Sequence, residues 1–249
     1  MTLKIFAYSL GVLLLSSSLS LSAQTEVSDS TQVPQQEQRV RGVQYASREE
    51  AAAALAAANQ LPLFAGVSVG FDVAGAVMAA CTPWGQYEAN ARLNLRGKYF
   101  PTIEIGWGVS DHTNETTEIH YKVNSPFIRL GADYNFMKSL RSGNRIFMGL
   151  RYGFTTFKYD VSGPDIEDGI YGTSTPFNFS DVSGKTHWVE LVAGVEARVW
   201  GILHLGWTVR YKVKVSNKTT DLGNPWYIPG YGRCDSHALG GTFNVIFDI

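Results

Sequence analysis

The sequence has little charge and only two cysteines. Asp, Glu, Lys and Arg make up 17% of its 249 residues, and the formal net charge is −1. Without a basic field nothing attracts nucleic acid, so no nucleic-acid partner is expected. A helix-length apolar run is also missing after residue 23. An exported chain without such a run can still cross a membrane, provided that it forms a closed β-barrel.

The N-terminus has the layout of a secretory signal peptide. Lys4 precedes an apolar run over residues 5–15, and a serine-rich stretch then leads to Ala23. The apolar run is shorter than the roughly 20 residues of a spanning helix. Residues 1–23 are therefore predicted to be a signal peptide, and the mature chain is predicted to be exported.

A strict period-two pattern over residues 187–215 predicts two long β-strands joined at Trp200-Gly201. Odd positions such as Val189, Leu191 and Val195 are apolar, whereas even positions such as Glu190 and Glu196 are polar or glycine. In a soluble sandwich the apolar face would point to a core. In a transmembrane barrel it would face lipid. The runs are about twelve to fifteen residues long, which favours the barrel because soluble strands cluster near 5–6 residues.

The same alternation extends over residues 61–249 and predicts eight strands. They are centred on residues 63–73, 87–96, 103–109, 128–136, 146–154, 187–199, 203–215 and 239–249. Short turns at 97–101, 137–144 and 200–201 alternate with longer connections at 79–85, 110–125, 160–185 and 216–236. The fold class is thus all-β, an eight-stranded antiparallel up-and-down transmembrane β-barrel. The alternative is a soluble closed barrel, which would need a charged core.

The inward positions carry nearly equal numbers of opposite charges. The acids are Asp72, Glu88, Glu104, Asp133, Glu190, Glu196 and Asp248, and the bases are Arg92, Arg96, Arg129, Arg151, Arg198, Arg210, Lys212 and Lys214. An eight-stranded barrel is narrow enough for side chains to fill, and buried charges must be paired. This pattern favours a salt-bridged plug over an open pore.

The two cysteines flank the strands that close such a barrel. Cys81 follows the first strand, and Cys234 precedes the eighth. In an exported protein this placement predicts a disulfide across the closing seam. Free thiols are the alternative.

Residues 24–60 are predicted to be a periplasmic linker with a short helix at about 48–58. Residues 24–43 are polar and rich in Gln, Ser and Thr. Ser47 and Glu50 have capping-box spacing before an alanine run. The helix could bind a partner, although a solvated spacer is the simpler interpretation.

Two clusters could carry chemistry. Loop residues Asp111, His112, Glu115, Glu118 and His120 could ligate a metal, but their spacing matches no known site. Ser183 with His187, or Ser236 with His237, could act at the rim of a hydrolytic barrel, but neither pair has an assigned acid partner. No metal, cofactor or catalytic residue is therefore predicted.

Three blocks carry a resemblance to a known family. They are Trp84-Gly-Gln-Tyr-Glu through Lys98-Tyr-Phe-Pro, His187-Trp through Trp200-Gly-Ile-Leu-His-Leu-Gly-Trp, and Asn224-Pro-Trp-Tyr-Ile-Pro-Gly with Leu239-Gly-Gly-Thr-Phe-Asn-Val-Ile-Phe. Together they resemble an uncharacterised domain-of-unknown-function family of small outer-membrane barrels from Bacteroides-type bacteria. The resemblance covers roughly residues 61–249. It implies an OmpA/OmpX-like fold and an outer-membrane location, and it supplies no activity.

The leading functional hypothesis is a non-enzymatic, monomeric outer-membrane barrel, with both termini periplasmic, that displays its third and fourth loops to a protein partner. Trp226, Tyr227 and Tyr231 make the fourth loop the best contact candidate, and a loop folded over the barrel mouth is the alternative. Other hypotheses are a rim-active lipid-modifying or hydrolytic enzyme, and an accessory factor of envelope assembly or secretion. The partner common to all three is outer-membrane lipid.

Overall fold

The structure is a computed structural model that describes most of the chain after residue 60. The described residues are 39–40, 43–44, 47, 49–50, 53–54, 61–137, 140, 142–167, 169, 172–218 and 225–249. The predicted signal peptide, 1–23, and most of the predicted linker lie outside these ranges. The chain divides into two units, residues 1–51 and 52–249.

Eight antiparallel strands form a closed barrel, as predicted. The strands are β1 (Phe64–Asp72), β2 (Trp84–Leu95), β3 (Tyr99–Thr113), β4 (His120–Asn135), β5 (Arg145–Ser162), β6 (Asn178–Trp200), β7 (Leu203–Lys218) and β8 (His237–Asp248). Each strand pairs with its neighbours in sequence, and β8 pairs with β1 to close the ring. The eight-stranded up-and-down topology is therefore confirmed.

Alternate residues of each strand face the two sides of a wall one residue thick. On β5, Phe147, Gly149 and Arg151 are buried, whereas Met148 and Leu150 are exposed. This agrees with the period of two that the sequence shows, since successive side chains of a strand point to opposite faces. The apolar face points outward and the charged face points into the lumen.

Two connections are shorter than predicted. The strands of the β3–β4 hairpin reach Thr113 and His120, and those of the β5–β6 hairpin reach Ser162 and Asn178. The alternation continues in these extensions, but its polarity reverses. A search for outward apolar residues therefore ends the strands too early. The β5–β6 hairpin carries a two-residue strand pair, Ile166–Glu167 with Ser174–Thr175.

A helix that the sequence analysis did not predict fills part of the closing seam. Helix α1 (Val73–Cys81) follows β1 directly, and the Asp72 carboxylate accepts hydrogen bonds from the amides of Ala74 and Gly75 at 3.1 and 3.2 Å. Such a cap satisfies amides that have no partner within the helix. The register of β8 with β1 covers residues 244–248 and 72–68, and Val67 and Ile249 exchange two further backbone hydrogen bonds at 2.9 and 2.8 Å. Helix α1 packs against β2 and β8 and extends the wall beyond that pairing.

Close packing of α1 depends on a glycine in β2. A Cβ atom at Gly85 would lie 2.4 Å from Ala79 Cα, far inside van der Waals contact. The helix backbone can therefore lie against the strand only because residue 85 has no side chain.

The remaining described elements are short. Arg39–Val40 pairs with Val43–Gln44 in residues 1–51. Within the predicted helix at 48–58, residues 49–50 and 53–54 are helical, and the Glu50 amide donates to Ser47 Oγ at 3.1 Å. Among the described residues, no helix has the length and hydropathy needed to span a membrane.

Candidate functional site

The barrel lumen is built around the Arg129 guanidinium. This β4 side chain is fully buried, and its Nη1 lies 2.7 Å from Glu88 Oε2 and 3.0 Å from Glu104 Oε2. Its Nε lies 2.9 Å from Glu190 Oε1. Three carboxylates from β2, β3 and β6 thus converge on one arginine.

Arg210 on β7 contacts the same three carboxylates from the other side. Its Nη2 lies 2.8 Å from Glu88 Oε1, and its Nη1 lies 2.6 Å from Glu104 Oε2. The distance from Nη1 to Glu190 Oε2 is longer, 3.6 Å. The two guanidinium groups therefore hold the acids between them.

Arg151 completes this central cluster. Its Nη1 and Nη2 donate to the two oxygens of Asp133 at 2.7 and 2.8 Å, and its Nε donates to Glu104 Oε1 at 3.0 Å. A bidentate arginine–carboxylate pair of this kind fixes the relative orientation of the guanidinium and carboxylate planes. With Lys212, the central cluster contains four cations and four acids: Arg129, Arg151, Arg210 and Lys212 with Glu88, Glu104, Asp133 and Glu190.

A second cluster closes the turn end of the lumen. Arg145 Nη1 lies 3.0 Å from Glu196 Oε2, and its Nη2 pairs with Asp248. Arg92 pairs with the other oxygen of Glu196. His204 Nε2 lies 3.2 Å from Asp248 Oδ2. Here too the two arginines and the two acids balance.

Little space is left between the clusters. A cavity lined by residues of both clusters, including Arg92, Glu104 and Glu196, has a volume of about 20 Å³. That is room for roughly one water molecule. At this level the side chains of the described strands fill most of the lumen with paired charges.

Three residues of the predicted lumen network have other positions. Arg96 is exposed in the turn after β2, with φ at 55°, and Arg198 is exposed and donates from Nε to Gly201 O at 2.8 Å. Both predictions were wrong because the alternation was extended into the turns. Asp72 is buried but binds backbone amides as the helix cap, and it also accepts from the Phe243 amide at 3.1 Å.

The sequence analysis missed Arg145 and Trp188. Arg145 lies at the first position of β5, and counting back by two from Phe147 would have placed it inward. Trp188 is fully buried, and its Nε1 donates to Glu190 Oε1 at 2.6 Å. A β-bulge between His187 and Trp188 in the β6–β7 pairing shifts the register there.

The fourth loop enters the mouth of the barrel. We call residues 225–233 the plug loop. Its Gly230 carbonyl accepts hydrogen bonds from Arg129 Nη2 and from Lys212 Nζ, both at 2.8 Å. Lys212 Nζ also donates to Tyr231 O at 3.1 Å. The central charge cluster therefore holds the loop by its backbone.

This position corrects the prediction that the fourth loop is displayed. Tyr227 and Tyr231 are 3% and 1% exposed, and Ile228 is fully buried. They pack against Phe157, Tyr159 and other apolar inward residues at the loop end of the barrel. Trp226 is half-buried and stacks on His112, with ring centroids 4.1 Å apart. The aromatic residues of this loop serve packing, which was the alternative interpretation.

Burial also sets the titration of the plug-loop phenols. It raises the pKa of Tyr231 to about 12 and raises the pKa of Tyr227 above its ordinary value. Both phenols are thus neutral at physiological pH. The Tyr231 hydroxyl donates to Asp235 O at 2.8 Å.

Both cysteines are free thiols, which contradicts the predicted disulfide. The prediction placed the seam correctly, since β1 and β8 are neighbours. Cys81, however, ends helix α1 and is exposed, whereas Cys234 lies beside β7. Cys234 Sγ accepts from Lys214 Nζ at 3.4 Å and from Asn217 Nδ2 at 3.9 Å. The unpredicted helix removes the strand geometry on which the pairing was based.

The rim candidates make other contacts. His187 Nδ1 lies 2.6 Å from the Tyr152 hydroxyl, and His237 stacks on Tyr211. In the second loop, His120 Nε2 lies 3.6 Å from Asp111 Oδ1. Over the part of the chain that the structure describes, no group of three or more His, Cys, Asp or Glu side chains is placed to hold a metal ion.

Together these features define a class: a small closed β-barrel with an apolar outer wall and a charge-filled lumen. The chain belongs to the family described as "Domain of unknown function (DUF6048)", whose profile matches residues 2–248. A search among curated proteins finds no match. Among solved structures, the chain is similar to a major outer membrane protein from Thermus thermophilus. That match has 12% identity and a TM-score of 0.40, and it covers 74% of this chain and 98% of the other.

Proposed function

We propose that the protein is a non-enzymatic outer-membrane β-barrel, a plugged monomer that anchors an extracellular extension of its own strands. The observation that carries this proposal is the reversal of polarity along β5. Up to Phe154 the outward side chains are apolar and the lumen holds charge. From Thr156 the outward side chains are polar, and Phe157, Tyr159 and Val161 are buried inside.

The reversal fits a strand that passes from lipid into water. A wall in water buries apolar side chains in a core, whereas a wall in hydrocarbon turns them outward. A soluble barrel gives no reason for the lower half of β5 to expose Leu150 at 60% while Arg129 is fully buried nearby. A strand whose lower half faces hydrocarbon and whose upper half faces water accounts for both patterns.

The outward apolar run has the height of a membrane band. From Ile146 to Phe154 on β5 there are eight residue steps of about 3.4 Å, or about 27 Å along the strand. At a tilt of about 40° this becomes about 21 Å along the barrel axis, close to the roughly 25 Å of outer-membrane barrels. Exposed aromatic residues mark both edges of the run: Tyr87, Trp107, Tyr152 and Tyr211 at the loop end, and Tyr99, Tyr134, Phe136 and Trp200 at the turn end.

The packed lumen supports a structural role over transport. The charged groups of the central cluster bind one another or the plug loop, which supports a filled lumen over an open pore. An exposed surface that could receive a protein partner is the β5–β6 hairpin beyond the polarity reversal, where Ile166 is 59% exposed. In this orientation both termini are periplasmic, since short turns lie on that side.

The first test is a heat-modifiability gel on purified outer membranes. We expect an unheated band that changes mobility only after boiling, as for a folded barrel that resists detergent. In planar bilayers the same protein should give no steady ion conductance. An epitope tag between residues 169 and 172 should be accessible on intact cells, whereas a C-terminal tag should not. A periplasmic, soluble protein without a mobility shift would overturn the proposal.

A further inference from the structure

The pairing between β4 and β5 is interrupted near the polarity reversal. The register runs to Val123 opposite Tyr159, stops, and resumes in the same register at Ile128 opposite Phe154. Positions 124–127 and 155–158 face each other across this break. Because the register is unchanged on both sides, the break is not a bulge, and the two strands rejoin below it.

Proline explains part of the break. Pro126 has no backbone N–H and cannot donate to β5. Its carbonyl instead accepts a hydrogen bond from the Thr155 hydroxyl at 2.8 Å. On its other edge β4 remains paired, with Pro126 opposite Trp107 of β3. The wall is therefore weakened on one side of Pro126 only.

An apolar cavity of about 640 Å³ opens on the outer surface at this break. Five outward residues that lie side by side through the strand register form its lower row: Phe71, Ala89, Ile105, Ile128 and Phe154. Tyr87, Trp107 and Pro126 form the row above. The volume is typical of pockets for small ligands.

Residue size gives the cavity its shape. Ala89 is small and lies between the larger Phe71 and Ile105, and Gly106 has no side chain behind the upper row. The large residues Phe71 and Trp107 remain about half exposed, at 56% and 47%. The result is an open trough in the outer wall rather than a smooth surface.

The floor of the trough is closed toward the lumen. Phe127 is 3% exposed, and a Cβ at Gly106 would lie 2.3 Å from its Cζ. The Arg129 guanidinium lies 4.5 Å from the centroid of the same ring on the lumen side. Glu88, the one charged residue among the described residues that line the trough, has its carboxylate bound by Arg129 and Arg210. The trough is therefore electrically neutral at its surface and does not lead into the barrel.

We propose that this trough binds one acyl chain of a membrane phospholipid. The inference rests on the membrane location proposed above, because the trough opens on the same outward face as the run of outward apolar residues and is continuous with it. An apolar, uncharged trough at the upper edge of that run suits a hydrocarbon chain whose head group remains among polar side chains. Lys158 and Asn124 lie at the end of the break away from the apolar run and are exposed. Lys158 Nζ lies 3.2 Å from Asp181 Oδ1, and Asn124 Oδ1 accepts a hydrogen bond from Trp107 Nε1.

The test adds a phenylalanine at each of three outward positions, in three separate variants. Ala89→Phe fills the trough, and Ala193→Phe places the same ring on the outward face of β6, away from it. Thr156→Phe blocks the trough from β5 and guards against a folding defect specific to residue 89. Each protein is inserted into vesicles of palmitoyl-oleoyl-phosphatidylglycerol, extracted in a short-chain detergent and weighed by native mass spectrometry.

We expect one retained phospholipid per chain for the wild type and for Ala193→Phe. Occupancy should fall by about tenfold in Ala89→Phe and Thr156→Phe. Equal occupancy in all four folded proteins, or none in the wild type, would overturn the inference. So would a dimer mass that Ala89→Phe abolishes, because a second chain would then be the occupant. Failure to insert, with no heat-dependent mobility shift, would instead refute the proposed membrane location.

Discussion

Replacing Leu150 by arginine tests the proposed solvent of the outer wall directly. Leu150 lies at the middle of the outward apolar run on β5, four residues from each end, and is 60% exposed. Its register partners are Ala132 on β4 and Leu191 on β6. Neither offers the new guanidinium a charged partner.

The expected cost follows from that position. Arginine at the midplane of a bilayer destabilises an outer-membrane barrel by about 2–4 kcal/mol. This corresponds to a change of about 30-fold to 900-fold in the folding equilibrium constant. If the same face were in water, an exposed Leu→Arg change would alter the free energy of unfolding by only about 0.5 kcal/mol.

The assay is equilibrium unfolding by guanidinium chloride in lipid vesicles, read from the folded band on an unheated gel. Ile166→Arg is the matched control, since Ile166 is equally exposed but lies in the β5–β6 hairpin beyond the polarity reversal. Its free energy of unfolding should stay within about 0.5 kcal/mol of the wild type. If Leu150→Arg is no more destabilising than Ile166→Arg, the assignment of the outer face to lipid is wrong.

Three further predictions concern the lumen, the trough and the thiols. Arg129→Met should lower the free energy of unfolding by about 3–5 kcal/mol, since it leaves buried carboxylates without a partner. The control Arg198→Met, at an exposed position, should lower it by about 1 kcal/mol or less. Equal losses in the same unfolding assay would contradict the stabilising role of the central cluster. Gly106→Ala should lower the free energy of unfolding by roughly 1–3 kcal/mol, because the added methyl group meets the Phe127 ring. Gly169→Ala should leave it unchanged in the same assay, because no atom of the described residues lies within 4 Å of the added Cβ. In a Cys81→Ser variant, Cys234 should react slowly with iodoacetamide at pH 8, and the alkylation rate should keep rising above pH 9, because burial raises the pKa of its thiol. The rate is followed by mass spectrometry, and a rate that levels off near pH 8.5 would refute this prediction.

The alternation of the strands could be predicted from the sequence because the barrel wall is one residue thick. Each residue has only two choices of face, so a period of two fixes both the strand and the direction of its side chains. The prediction failed where a second factor changed the pattern. Beyond Phe154 the polarity of the two faces reverses, so that apolar residues point inward. At residues 73–81, small apolar side chains form a helix that Asp72 caps.

The pairing inside the lumen could be predicted only as a balance of charge. Glu104 lies opposite Arg129 in the strand register, and the two do pair. Glu190 lies opposite Arg151, yet it contacts Arg129 and Arg210 instead. Partners across a closed barrel depend on its stagger and on the reach of each side chain. Neither quantity is encoded in one strand or in one hairpin.

The plug loop shows the same limit for aromatic residues. Trp226, Tyr227 and Tyr231 suit an exposed contact surface as well as a packed core, because their rings combine apolar area with a polar group. Tyr227 and Tyr231 are buried in a loop whose Gly230 carbonyl accepts hydrogen bonds from two lumen cations. A sequence pattern does not reveal such a long-range contact.

The short seam between β1 and β8 has a consequence for assembly. It joins residues 180 positions apart, as in the hydrogen bond from Ser68 to Asp248, and backbone pairing covers only six positions, from Val67 opposite Ile249 to Asp72 opposite Asn244. A contact of such separation carries the largest loop-closure entropy in the chain, whereas every other strand pair is a local hairpin. We therefore expect the local hairpins to form first and the seam between β1 and β8, with α1 packed beside it, to close last. Opening should begin at the same place, so the amides of residues 68–72 are expected to be the first of the barrel to exchange with solvent.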